Sequence, residues 1–252
     1  MTTKHTTYTA YLKLDDLLNA QQPLTDHADE LHFIIVHQVH ELWFKLALHH
    51  IERARAALDA DLLAEAVRLL DQVSGIITNS TAAARHLHTL PAEAFHRFRR
   101  FLAPGSGLQS VQFREIEFAA GYRDPEHVAW VQRVLAKDAH RTQVEARLAQ
   151  PSLADALDAL LARHNISDPA DVYAAPADHA DLPAVCEALS RLDHALLDWR
   201  FAHIQLVERT IGTGTTGTGG TTHDYLTATL RARCFPRLWA ARDALTHRID
   251  EA

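Results

Sequence analysis

The sequence predicts an all-α protein that forms a single helical domain over residues 1–252. Two observations predict this class. Of nine glycines, five lie in one loop, and there are only nine prolines, so the rest of the chain holds few residues that break helices. Apolar residues recur at steps of three and four over most of the chain, which is the helical period. With 252 residues and 47% hydrophobic content, the chain is long enough for one substantial core.

Apolar periodicity predicts helices, in order, over residues 8–21, 27–58, 61–88, 92–102, 125–147, 151–164, 184–211, 225–234 and 236–249. Prolines recur between residues 165 and 183, which predicts an irregular surface connection before the helix at 184–211. Pro236 suits the first turn of the last helix, because an N–H there has no partner within the helix. Residues 212–222 contain only glycine and threonine. We expect this run, called the lid below, to form a mobile loop.

The formal net charge is −7, and basic residues are mixed among acidic ones, so the sequence has no basic surface for nucleic acid or for an anionic membrane. The first residues are polar and no stretch of eighteen apolar residues follows, which predicts neither a secretory signal nor a membrane span. We therefore expect a cytoplasmic protein. Cys186 and Cys234 lack CxxC spacing, which argues against a disulfide framework, a structural zinc site and covalent haem attachment.

Two histidines occupy positions on the apolar faces of different helices. The first face comprises Phe33, His37, Phe44, Leu48 and Ile51. The second comprises Leu192, Leu196, Trp199, His203, Leu206 and Thr210. Helical spacing points both imidazoles inward. A buried imidazole needs a partner for each ring nitrogen, and either an iron or zinc ion or a main-chain carbonyl of the core can serve.

A cluster of arginines among aromatic residues follows in the helix at 92–102. Phe95, Phe98 and Phe101 surround Arg97, Arg99 and Arg100. A guanidinium held among rings keeps its charge and suits a carboxylate ligand in a mostly apolar pocket. We expect two of the three arginines to be solvated. Farther along, Arg114 and Glu117 have the spacing of a structural ion pair on a helix.

Other metal and nucleophile motifs are incomplete in the sequence. Glu93 with His96, and Asp29 with His32, have the spacing of diiron ligands, but neither pair is matched by a second full motif. Neither HExxH nor Gly-x-Ser-x-Gly occurs. The lid lacks the Gly-Lys-Ser/Thr ending of a phosphate loop, so we interpret it as a lid that presents hydroxyls and backbone amides near His203.

Four segments of the chain together resemble the tryptophan 2,3-dioxygenase family of haem enzymes. They are residues 8–12 (YTAYL), the run from Phe33 through His37 to Lys45, the run from Arg99 through Ser106 to Glu117, and Trp199-Arg200 to His203 followed by residues 217–220 (GTGG). They occur in the order of the family.

This resemblance implies an all-helical haem domain that assembles as a homotetramer, with noncovalent haem b buried between helices and its ferrous iron bound by His203. It also implies that His37 is the distal histidine near the indole nitrogen of L-tryptophan and that Phe33 lines the haem pocket. Arg99 corresponds to the residue that holds the substrate carboxylate. Thr218 corresponds to the contact with the substrate ammonium and carboxylate, and Ser106 to a residue near the haem edge. Tyr8 and Tyr11 correspond to residues that close the pocket of a neighbouring subunit.

The activity implied is insertion of O₂ across the indole C2–C3 bond to give N-formylkynurenine, in tryptophan catabolism by the kynurenine pathway. The chain departs from the usual family pattern at His32, where leucine is usual, at His40, where tyrosine is common, and at His223-Asp224, where Gly-Tyr is usual. The lid also has one more residue before Gly217. Related haem monooxygenases of specialised metabolism keep this scaffold and form a 2-oxindole from tryptophan or a substituted analogue such as β-methyltryptophan, which is the alternative activity.

Two hypotheses from other classes use the same residues. A haem sensor or carrier without turnover could ligate iron through both His37 and His203. A histidine-rich structural protein would bury them as ordinary core residues.

Overall fold

The structure is a computed structural model that describes residues 6–250 and the side chains of residues 6–245. Within residues 6–250 it contains helices and no β-strand, which confirms the predicted all-α class. In chain order the α-helices are α1 (Tyr8–Leu12), α2 (Leu14–Leu18), α3 (Glu30–Asp59), α4 (Leu63–His86), α5 (Ala92–Leu102), α6 (Val111–Ala120), α7 (Pro125–Val134), α8 (Arg141–Leu148), α9 (Leu153–Arg163), α10 (Pro169–Ala174), α11 (Leu182–Ile211), α12 (His223–Ala228) and α13 (Pro236–Asp250).

Three long helices form the centre of the fold. α3 and α11 each have 30 residues and α4 has 24. At about 1.5 Å of rise per residue, such helices are roughly 36–45 Å long. α4 packs against both α3 and α11, and α6 and α9 pack on α3. The core between them is aliphatic, with Ile51, Leu70, Ile77, Leu189 and Leu196 fully buried. The main core therefore holds α3 and α11, the two helices that carry the inward histidines, in fixed positions.

A second, smaller apolar cluster lies beside the first. It comprises Val36, Leu87, Leu90, Ala94 and Phe98, from α3, α5 and the turn between α4 and α5. Phe33, Phe95 and Leu206 pack against it. This cluster fixes α5 against α3 and α11, and so places the arginines of α5 near the histidines.

Several predicted helix boundaries are wrong. The helix predicted at 8–21 is divided at Lys13, whose φ of 54° lies in the left-handed region. The helix predicted at 125–147 is two helices, because Asp138 turns the chain and accepts a hydrogen bond from the His140 N–H at 2.7 Å. The helix predicted at 225–234 begins earlier, at His223, and ends at Ala228, with a 3₁₀ turn after it.

The irregular surface connection predicted at 165–183 is also wrong in part. It contains α10, whose Pro169 occupies the first turn after the capping residue Asp168. Pro169, Ala170 and Val172 are buried, because α10 packs against α13 and α11. The prolines begin a short helix there instead of preventing one.

Helix α6 is absent from the helices predicted by periodicity. Ser110 caps its N-terminus by accepting a hydrogen bond from the Phe113 N–H at 3.3 Å, and Gly121, with a φ of 129°, ends it. Every residue of α6 from 113 to 120 is buried, including two glutamates and an arginine. A helix without a solvated face has no amphipathic pattern. In the part of the chain that the structure describes, no helix is both long and apolar enough to span a membrane.

Candidate functional site

One cavity contains most of the residues predicted for the site. It is enclosed by α3, α5, α6, α11, α12 and the lid. Six of the eight predicted residues line it: Phe33, His37, Arg99, Ser106, His203 and Thr218. The other two, Tyr8 and Tyr11, lie outside it on α1 and are 75% and 74% exposed. The chain therefore brings together the predicted residues from four separate segments of sequence, and leaves both tyrosines at the surface.

The ring of His203 lines this cavity, and no hydrogen bond within residues 6–245 contributes to its pKa. Its ring meets Trp199, one turn earlier, edge to face with centroids 5.5 Å apart. Burial lowers the pKa of His203 to about 4, and the nearby His37, Arg114 and His40 lower it further in the same direction. The imidazole is therefore neutral at pH 7. A neutral ring with a free lone pair is the form that binds a metal ion.

His37 is fixed in one tautomer by its own helix. Its Nδ1–H donates to the carbonyl oxygen of Phe33 at 2.7 Å, and its ring lies 4.1 Å from the Phe33 ring. Burial, together with the charge of His40, lowers the pKa of His37 despite this hydrogen bond. A neutral imidazole that donates from Nδ1 carries a lone pair on Nε2. His37 therefore offers a hydrogen-bond acceptor to the cavity.

The two histidines that depart from the family pattern on α3 differ in position. His40 is buried in the cavity wall between Phe44 and Trp199, and its ring nitrogens lie 2.6 and 2.9 Å from the carbonyl oxygens of Val36 and Ser80. His40 therefore links α3 to α4. His32 lies outside the cavity lining, where its Nε2 is 2.9 Å from His86 Nδ1.

Arg99 connects α5 to the lid. Its Nη2 donates to the carbonyl oxygen of Thr216 at 3.0 Å, and its guanidinium carbon lies 5.9 Å from the centre of the Phe95 ring. Arg97, by contrast, is exposed and paired with Glu93, and it does not line the cavity. Arg100 is exposed and rests on Phe101. Of the three arginines, Arg99 alone lines the cavity, as the sequence predicts for one of them.

The lid is folded over the cavity. Its Thr215, Gly217, Thr218 and Thr221 line the interior, and the Gly217 N–H donates to the carbonyl oxygen of Thr221 at 2.9 Å. Beyond the lid, the ring of His223 lies 2.7 Å from a carboxylate oxygen of Glu208 on α11. This contact fixes the C-terminal end of the lid to the helix that carries His203.

Closure of the lid depends on a glycine. A Cβ atom on Gly219 would lie 2.6 Å from both Cβ and Oγ of Ser106 and 3.1 Å from Leu108 Cδ1. Gly219→Ala should therefore hold the lid away from Ser106, and we expect a clear rise in the KM for substrate without loss of thermal stability. Steady-state kinetics and a thermal melt measure both effects. Gly214→Ala is the control, since a Cβ there meets nothing within 4 Å; equal kinetic effects of the two variants would contradict this account.

A fully buried ion network forms the wall next to His203. Glu117 Oε2 accepts from Arg114 Nη1 and from His127 Nε2, each at 2.9 Å, and Glu117 Oε1 accepts from Arg200 Nη2 at 3.0 Å. These charged partners hold the pKa of Glu117 far below its ordinary value against the opposing effect of burial. The carboxylate therefore stays ionised. The predicted pair of Arg114 with Glu117 is confirmed, and the sequence analysis missed His127 and Arg200 as its partners.

A signal for Arg200 exists in the sequence. It follows Leu192 and Leu196 by eight and four residues, which places a guanidinium on the buried face of α11. A charge on such a face needs a partner of opposite charge. His127 gives no comparable signal, because its contact with Glu117 depends on how α7 packs.

Three N–H groups of the cavity wall have no partner. They are Arg114 Nε, Arg200 Nη1 and Trp199 Nε1, which are buried and make no hydrogen bond to described residues. All three side chains line the cavity. Each of these atoms has almost no accessible surface, so neighbouring protein atoms enclose it and it does not face the open cavity.

The side chains that could bind a metal ion indicate which kind of metal cofactor fits the cavity. No three His, Cys, Asp or Glu side chains within residues 6–245 are grouped as ligands for a bare metal ion. In particular, Glu93 and His96 are exposed on α5 instead of facing a common centre, which is against a diiron site. A neutral imidazole in a mostly apolar cavity, outside any cluster of three metal-ligating side chains in the described residues, suits an iron whose other ligands come from a macrocycle. The residues present fit haem.

The described residues form a helical protein in which a neutral histidine from each of two helices faces one cavity beside an arginine beneath a glycine-rich lid, and this arrangement fits the class of helical haem proteins. The sequence model of the tryptophan 2,3-dioxygenase family matches residues 1–170 and 169–245. The chain belongs to the tryptophan 2,3-dioxygenase family.

Individual relatives match over nearly the full chain. The tryptophan 2,3-dioxygenase of Caulobacter vibrioides is 37% identical, over 95% of this chain and 98% of the relative. The tryptophan 2,3-dioxygenase of an Anaeromyxobacter species is 36% identical, over 95% of this chain and 96% of the relative. The tryptophan 2,3-dioxygenase of a Bradyrhizobium species is 38% identical, over 94% of this chain and 92% of the relative.

Proposed function

We propose that the chain is a haem-dependent tryptophan 2,3-dioxygenase, which inserts both atoms of O₂ across the indole C2–C3 bond of L-tryptophan and forms N-formylkynurenine. The observation that carries this proposal is the cavity, in which His203, His37 and Arg99 meet beneath Thr218 of the lid in a chain of this family. The activity belongs to tryptophan catabolism by the kynurenine pathway.

His203 holds the iron of haem b, which binds noncovalently. Its neutral ring, whose pKa reflects no hydrogen bond from a described residue, supports this role. Phe33 and Ser106, which line the cavity from α3 and from the turn after α5, would contact the macrocycle. Haem, when bound, supplies the ferrous iron at which O₂ reacts. The surrounding apolar side chains exclude water from the reaction.

Three residues orient the substrate. Arg99 binds the carboxylate of L-tryptophan through its planar guanidinium, and Thr218 binds the ammonium and carboxylate groups from the lid. His37 accepts a hydrogen bond from the indole N–H at Nε2, since its Nδ1–H is already committed to Phe33. Fixing the amino-acid group and the indole at separate points places the C2–C3 bond in one orientation.

The assembly we propose is a cytoplasmic homotetramer in which each subunit contributes one helical haem-binding domain. The apolar exposure of α1 and α2 supports an assembly: Tyr8, Tyr11 and Leu18 are 75%, 74% and 68% exposed. Large exposed apolar patches mark interaction surfaces. Tyr8 and Tyr11 reach the pocket of a neighbouring subunit in this arrangement.

Arg99→Ala is expected to raise the KM for L-tryptophan on the order of a hundredfold, because truncating one partner of a buried charged pair removes about 2–5 kcal/mol of binding. The variant also loses the contact with Thr216 of the lid. Steady-state kinetics on L-tryptophan measure the change, with Arg97→Ala as a matched control from the exposed face of α5. An unchanged KM in Arg99→Ala would exclude Arg99 from the substrate site.

Isotope-labelled O₂ tests the reaction itself. The purified haem protein is supplied with L-tryptophan under ¹⁸O₂, and mass spectrometry measures the product. We expect two labelled oxygen atoms in N-formylkynurenine. One labelled atom in a 2-oxindole would instead assign the monooxygenase activity. Two departures from the usual family pattern support that alternative, His40 in the cavity wall and His223 beside the lid.

A further inference from the structure

Two histidines outside the cavity face each other where α3 passes the end of α4. The Nε2 atom of His32 on α3 lies 2.9 Å from the Nδ1 atom of His86, the last residue of α4. The two ring planes are nearly perpendicular, at 79°, and their centroids are 4.9 Å apart. Neither residue lines the cavity, so the proposed oxygenase function does not use this pair. His32 stands where leucine is usual in the family, which makes the pair a feature of this chain.

A hydrogen bond between the two rings is one explanation of this contact. His86 is exposed and His32 is only partly buried, so water competes for both nitrogens and the bond stabilises the fold little. A zinc ion is a second explanation. Tetrahedral zinc binds imidazole nitrogens at about 2.0–2.1 Å, which places two such nitrogens roughly 3.3 Å apart. Small rotations of the two side chains would therefore open the observed contact to the spacing that zinc needs.

The surroundings of the pair favour a cation. α4 is a helix of 24 residues that ends at His86, and the C-terminus of a helix carries partial negative charge. Asp29, one turn before His32, has a carboxylate whose ion-pair partner is His27 at 3.9 Å, too far for a hydrogen bond. This carboxylate can compensate the charge of an ion beside the pair. Arg85 is the neighbouring cation, but it is exposed and points about 100° away from His86 around the helix.

We propose that His32 and His86 form a binding site for a divalent ion of the zinc class, which joins the start of α3 to the end of α4. Imidazole nitrogen is a preferred ligand of Zn²⁺, Ni²⁺ and Cu²⁺, whereas Mg²⁺ and Ca²⁺ take oxygen ligands. Among the described residues no group of three metal-ligating side chains forms here, so water completes the coordination. Since the site is separate from the cavity, the proposal stands or falls independently of the oxygenase function.

Zinc titration of the purified protein, prepared without a histidine tag, tests the site. Calorimetry measures the dissociation constant in the wild type, in His86→Gln and in His32→Leu, which restores the residue usual in the family. We expect one zinc ion per chain in the wild type. Each variant should bind it at least about tenfold more weakly, since even the outer partners of a metal ligand change affinity by about 10–100-fold. No zinc binding by the wild type, or an unchanged dissociation constant in either variant, would overturn the proposal.

His49→Gln is the matched control, because the chain has 18 histidines and others could bind zinc. His49 is exposed on the same helix beside His50, with ring centroids 5.4 Å apart, but the two rings share no hydrogen bond in the described chain. We expect wild-type affinity in this variant. A loss equal to that in His32→Leu would show that zinc binds to histidines in general and would overturn the assignment.

X-ray absorption at the zinc edge identifies the ligands directly. The wild type loaded with one equivalent of zinc should show two imidazole ligands, with oxygen ligands at the remaining positions. A single imidazole, or three or more, would place the ion elsewhere on the chain and overturn the proposal.

Discussion

His203→Ala is expected to yield a folded protein that no longer retains haem and has no oxygenase activity. Even the outer partners of a metal ligand change metal affinity by about 10–100-fold, so we expect loss of the ligand itself to weaken haem binding by more than about a hundredfold. Among the described residues its ring contacts Trp199 edge to face and no hydrogen bond contributes to its pKa, so its removal breaks no hydrogen-bond network on which the fold depends. The absorption spectrum and helical circular dichroism of the purified variant measure haem content and folding.

His37→Ala is the matched control for this experiment. His37 occupies the same cavity on α3, is also neutral, and bonds to the carbonyl oxygen of its own helix. We expect this variant to retain haem and to turn over slowly. Added imidazole should restore haem binding to His203→Ala, since it can occupy the space that the side chain leaves. Haem loss in His37→Ala with full haem in His203→Ala would mean that the two roles are exchanged.

The long helices could be predicted because each has one solvated and one buried face. α3, α4 and α11 alternate apolar and polar residues at the helical period, and the inward positions of His37 and His203 follow from that period alone. Helix α6 could not be predicted in this way. It carries Arg114, Glu115 and Glu117 on buried surfaces, so charge along the sequence no longer indicates exposure.

The candidate site likewise has a part that the sequence predicted and a part that it did not. Spacing predicted two inward histidines on separate helices, and the family resemblance indicated that they share a site with Arg99 and Thr218. Neither predicted the buried network around Glu117, since His127 and Arg200 are distant from it in sequence by 10 and 83 residues. Such contacts depend on how α7 and α11 pack against α6, and that packing is set by the whole core. The contact of Arg99 with Thr216 depends in the same way on where the lid folds.

Glu117→Gln is expected to lower the free energy of unfolding by about 3–5 kcal/mol, because it leaves two guanidinium groups buried without their shared carboxylate. Urea denaturation at pH 7 measures the loss. Glu65→Gln is the matched control, since Glu65 also pairs with two arginines, Arg53 and Arg68, but at the surface. We expect a much smaller loss there, because water screens the exposed pair. Equal losses would show that burial of the Glu117 network contributes nothing to stability.

The pH dependence of stability gives a second measure of the same carboxylate. The pKa of Glu117 in the folded protein lies below its ordinary value of 4.5. Its contribution to stability is therefore fully present above pH 4.5 and is lost as the pH falls from there toward the folded-state pKa. Glu117→Gln has no such proton to take up, so below pH 4.5 its free energy of unfolding should fall less steeply with acid than that of the wild type. Parallel slopes in the two proteins would mean that Glu117 is not held ionised by Arg114, His127 and Arg200.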